Sequence, residues 1–141
     1  MSTKSDFFTA RSFAVVGDTS TRKFPALTRR YLEEQGKTVY AVDLAGGQAG
    51  FLSSLEEVPA DTEAAIVEVA KERTAAVVQA VLDRGISRIW IHQATDTPEA
   101  LELCRTQGAE VHTGGCAVMY NAPTASPHGL HRGIWKLIGR Y

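Results

Sequence analysis

The stretch Gly17-Asp18-Thr19-Ser20-Thr21-Arg22-Lys23 directly follows the apolar run Phe13-Ala14-Val15-Val16. A loop of this kind that opens a helix offers free N–H groups and a positive dipole end to an anion, and its hydroxyls with Lys23 complete a phosphate cradle. A Thr/Ser-rich turn that only caps its own helix has the same composition. The loop is neither a Walker A motif nor the dinucleotide fingerprint, because the second would need glycines where Thr19 and Arg22 stand. Asp43, closing another apolar run, suits the ribose hydroxyls of a nucleotide and is equally an ordinary turn residue.

Cys116, after Gly114-Gly115, forms with His92 the one plausible nucleophile and base. A small cysteine packed inertly under a Gly-Gly turn reads identically. His112 sits inside a β-rich run and is expected to pack, while His92 ends one and is open to ligand contact or a structural hydrogen bond. His128 and His131 are three apart, but no third ligand accompanies them, so no metal is expected. There is no GxSxG elbow and no carboxylate pair in a signalled loop. These absences favour a binding module over an enzyme.

The elements that would position these groups follow a regular rhythm. β-rich runs at Ser12 to Gly17, Thr38 to Asp43, Ala64 to Val69, Arg88 to His92 and Glu110 to Thr113 start 22 to 26 residues apart, about one strand plus a crossover helix. Their Val, Ile and Ala content suits central parallel strands covered on both faces. Between them, Pro25 to Gln35 and Lys71 to Arg84 carry apolar stripes through Leu27, Tyr31 and Leu32, and through Thr74, Val78, Val81 and Leu82. A third helix is announced by Thr97 as N-cap and Pro98 at its first position. Gly36, Gly85 and Gly108 each punctuate a helix before a strand. Leu44 to Thr62, with Gly46, Gly47 and Gly50, predicts a weak crossover with a short helix over Ser53 to Val58.

The pattern predicts an α/β fold, a Rossmann-like, three-layer, doubly wound sheet of about five parallel strands with a short C-terminal helical tail. It divides the chain into an N-terminal extension (1–11), the Rossmann-like domain (12–120) and a tail (121–141) whose Leu130, Ile134, Trp135 and Ile138 would dock on the domain or on a second copy. In such a sheet the residues after each strand gather at the carboxyl edge, where ligands bind. That edge comprises Gly17 to Lys23; Val42, Asp43 and Leu44; Val69, Ala70 and Lys71; His92, Gln93 and Ala94; and Gly114, Gly115 and Cys116.

The 141 residues carry 15 basic and 16 acidic side chains, a net charge of −1 that argues against a general nucleic-acid binder. All the acids precede residue 111, which leaves Arg132, Lys136 and Arg140 to make the tail locally basic, a surface for a partner subunit. Two cysteines make no disulfide framework, and no apolar run is long enough for a membrane span or signal peptide, so a cytoplasmic setting is expected.

Several of these residues, in order and spacing, resemble a known family. Ala14-Val15-Val16-Gly17 before a loop with Lys23-Phe24, Arg30-Tyr31-Leu32 through Gly36, Val39-Tyr40-Ala41-Val42, Ile89-Trp90-Ile91 and Gly115-Cys116 before Met119 are similar to the small stand-alone CoA-binding proteins. These in turn are similar to the CoA-binding domain of the succinyl-CoA synthetase α-subunit. The resemblance spans about Ser12 to Tyr120 and implies CoA or acyl-CoA at the carboxyl edge, with phosphates on the first loop, adenine near the second and third strand ends, and the pantetheine end near Cys116. Asp18 and Asp43-Leu44 depart from the Gly-Ala-Ser and Asn-Pro usual there, and Lys71 and Arg73 stand where an Arg is usual. A carboxylate at Asp18 repels a phosphate unless it is turned away. An NAD-dependent oxidoreductase, favoured by Asp43, or another adenine-nucleotide binder is the alternative.

Overall fold

In the computed structural model, residues 7–18, 20, 24–46 and 50–115 are described. Five strands, β1 (Ser12–Gly17), β2 (Thr38–Asp43), β3 (Ala64–Glu68), β4 (Arg88–His92) and β5 (Glu110–Gly115), form one sheet in the order β2-β1-β3-β4-β5. Every neighbouring pair is parallel. Three helices cross between them: α1 (Phe24–Glu34), α2 (Lys71–Asp83) and α3 (Pro98–Thr106). The chain steps from β1 outward to β2 and then returns across β1 to β3, so the strand order reverses between β1 and β3. The fold is α/β and Rossmann-like.

Alternation along the strands divides the core in two. On one face Phe13, Val15, Ile66 and Trp90 pack with Leu32 of α1 and with Phe7 and Ala10. The last two lie in the segment expected to be an extension, yet Phe7 is fully buried and its ring meets Phe13 and Trp90. On the other face Ala14, Val16, Val42, Val67, Ile89 and Ile91 pack with Val77, Val78 and Val81 of α2 and with Ala100 and Cys104 of α3. The expected stripe on α2 is present, widened by Val77.

All three helices end in the same hydrogen-bonded motif. The amides of Lys37, Ile86 and Ala109 donate to Leu32, Val81 and Cys104, and the glycine before each takes a φ between +68° and +85° that a side chain would resist. At the start of α3, Thr97 accepts from the amide of Ala100 ahead of Pro98.

Several boundaries shift from the expectation: β3 stops at Glu68 rather than Val69, and α1 and α2 end at Glu34 and Asp83, one residue early. β5 runs two residues further, through Gly114 and Gly115, because a register shift between Trp90 and His92 brings Gly115 beside His92. The crossover after β2 holds only a 3-10 turn at Leu55–Glu57, while Leu52 forms a parallel bridge with Val42 and covers the outer edge of β2. The tail from 121, and with it the expected terminal helix, lies outside the described residues. Among the described residues no helix is long and apolar enough to cross a membrane.

Candidate functional site

The carboxyl ends of the strands form one edge, and side chains there alternate between the two faces. Gly17 pairs with Asp43 on one side and with Glu68 on the other, and His92 pairs with Gly115. By strand alternation this row belongs to the α1 face. The next residues, Asp18, Leu44 and Val69, turn toward the α2 face, where Leu44 and Val69 join the core. A second polar system is therefore built one residue beyond the first.

The α1-face row is buried. Glu68 is 0 % exposed, and its Oε1 accepts from the hydroxyl of Thr28, itself buried on α1, at 2.6 Å. Asp43 is 1 % exposed, and its Oδ1 accepts from the amide of Ala45 at 2.9 Å, which folds the turn after β2. His92 is buried as well, and its carbonyl accepts from the amide and the hydroxyl of Thr95 at 3.1 and 2.7 Å. Within that turn Ala94 has φ +64°, a left-handed backbone that costs a non-glycine residue about 1 kcal/mol or more.

The α2-face system lies at the surface. Asp18 Oδ1 accepts from the hydroxyl of Ser20 at 2.5 Å and from its amide at 3.0 Å, and Oδ2 accepts from Arg73 Nη1 at 2.9 Å. The Ser20 hydroxyl bond, the Ser20 amide and the Arg73 guanidinium together hold the Asp18 carboxyl below its ordinary value, against partial desolvation and the like charge of Asp43. The added carboxylate is thus turned toward α2 and matched by a cation. Arg73 occupies the first turn of α2 with 48 % of its side chain exposed, against 13 % for Asp18. It also lines a cavity of about 330 Å³ between α2 and the β2–β3 link, whose other walls are Leu44, Ser54, Leu55, Glu56, Ala76, Val77 and Ala80. That volume is at the lower end of ligand pockets. The amide of Leu44 donates to the carbonyl of Gly17 at 2.9 Å, tying this wall to the start of the first loop.

Of the residues expected at the edge, the structure brings Gly17, Asp18, Ser20, Val42, Asp43, Leu44, Val69, Ala70, Lys71, His92, Gln93 and Ala94 to the strand ends. Val42, Asp43, Val69 and His92 are buried there. Thr19, Thr21, Arg22, Lys23 and Cys116 lie outside the described residues. Cys104 is buried, and desolvation pushes its thiol above the ordinary range. His112 packs against Trp90 and Phe7, with Nε2 3.0 Å from Glu110.

Sequence reasoning missed Glu68 and Thr28 and gave no partner to Arg73. The signal for Glu68 was a lone acid inside the apolar run Ala64 to Val69, where a charge is tolerated only if hydrogen-bonded. Among the described residues no group of three or more His, Cys, Asp or Glu could hold a metal ion.

A family model described as a CoA binding domain matches residues 11–122. A conserved hypothetical protein from Pyrococcus furiosus shares 20 % identity, with 78 % of this chain and 98 % of that one covered at a TM-score of 0.68. Prb, a protein redesigned for binding, shares 20 % over 84 % of this chain and 89 % of its own at 0.70. A hypothetical protein from Pyrococcus horikoshii shares 22 % over 83 % and 88 % at 0.68. At these identities the structures share the fold. No curated protein matches the chain significantly.

Proposed function

The chain belongs to the CoA binding domain family, and from that premise we propose that it is a non-catalytic module that binds CoA or an acyl-CoA at the carboxyl edge of its sheet. The observation that carries the reading is the cavity beside the point where the strand order reverses, with Gly17 and Asp18 bonded to two residues of its wall, Leu44 and Arg73. Ligands of open parallel sheets bind at that point. An apolar-walled cavity suits a nucleobase, and the residues of the first loop up to Lys23, leading into α1, suit a diphosphate.

The alternative, an NAD-dependent oxidoreductase, rested on Asp43 accepting ribose hydroxyls. Asp43 is instead buried and engaged with the turn at Ala45, which weighs against it. A reducing, cytoplasmic setting and a homodimer through the apolar tail residues are parts of the same proposal.

Calorimetric titration of the protein with CoA and with NAD tests it. CoA should bind at least about tenfold tighter, the worth of one charge-assisted phosphate contact. Equal or tighter NAD binding would reject the CoA reading and restore the oxidoreductase.

A further inference from the structure

We draw no further inference here: the strongest candidate, the aromatic cluster of Phe8, Phe13, Trp90 and His112 on the α1 face of the sheet, is an apolar face on which nothing among the described residues shows what docks beyond the segment Phe7 to Ala10 that already packs there.

Discussion

On the α1 face of the carboxyl edge, Asp43, Glu68 and His92 are sealed from water, whereas one residue further along the chain, on the α2 face, Asp18 and Arg73 meet at the surface beside an open cavity. Both systems contain carboxylates, and burial separates their roles. A buried carboxylate is retained only with its donors in place, so Thr28 and the turn at Ala45 make Glu68 and Asp43 part of the scaffold. An exposed pair contributes little to stability, because water screens it and long side chains lose entropy in holding it. Its donors are correspondingly free to be shared with a ligand. Stability and affinity should therefore respond to opposite faces of the same edge.

The largest break is expected on the buried face. Thr28→Val keeps the shape of the side chain and removes the hydroxyl that donates to Glu68. Stability should fall by about 1 to 3 kcal/mol, the cost of leaving a buried polar group without its partner. Urea unfolding measures it, and CoA affinity under native conditions should change less than about threefold. A variant of parent stability would show that Glu68 does not depend on this bond.

Ala94→Gly should produce a smaller change of the opposite sign. At φ +64° a glycine removes the strain that a Cβ imposes, against a modest cost in unfolded-chain entropy. A net gain of about 0.5 to 1 kcal/mol is expected in the same unfolding experiment. A loss would mean that the turn after β4 does not strain its alanine.

The smallest change belongs to the exposed pair. The Asp18 carboxyl lies below its ordinary 3.8 in the folded chain, chiefly through the Ser20 hydroxyl. Its share of stability is therefore fully present above about pH 3.8 and is lost as the pH falls through the lower folded-state value. In Asp18→Asn that part of the acid limb should flatten, with stability near neutrality almost unchanged. Melting curves between about pH 2 and pH 7 check it, and an unchanged acid limb would place the titrating groups elsewhere.

How much of this could be read in advance follows from which signals are local. The strands, the three glycine-ended helices and the Thr97-Pro98 start were legible because propensity and capping act within a few residues. The edge itself was legible because a parallel sheet must gather its strand ends on one side. The division of that edge between two faces was not, since it depends on strand alternation carried through Gly17 into Asp18 and on where α2 begins. The Asp18–Arg73 bond joins residues 55 apart in the chain, and the Thr28–Glu68 bond residues 40 apart. Pairings of this kind exist only once the order β2-β1-β3 brings α1 and α2 to the same strand end. The extra length of β5 also escaped notice, because it follows from a register shift in its partner β4.

Reception of ligand at this edge is measured most directly by the map of backbone amide shifts in the isotope-labelled protein titrated with CoA. The largest changes should fall at Gly17, Asp18, Ser20, Leu44, Arg73 and Val77, while Thr38, Arg88 and Glu110 at the opposite ends of their strands stay in place. Changes greatest at those amino ends, or spread evenly over the sheet, would contradict it.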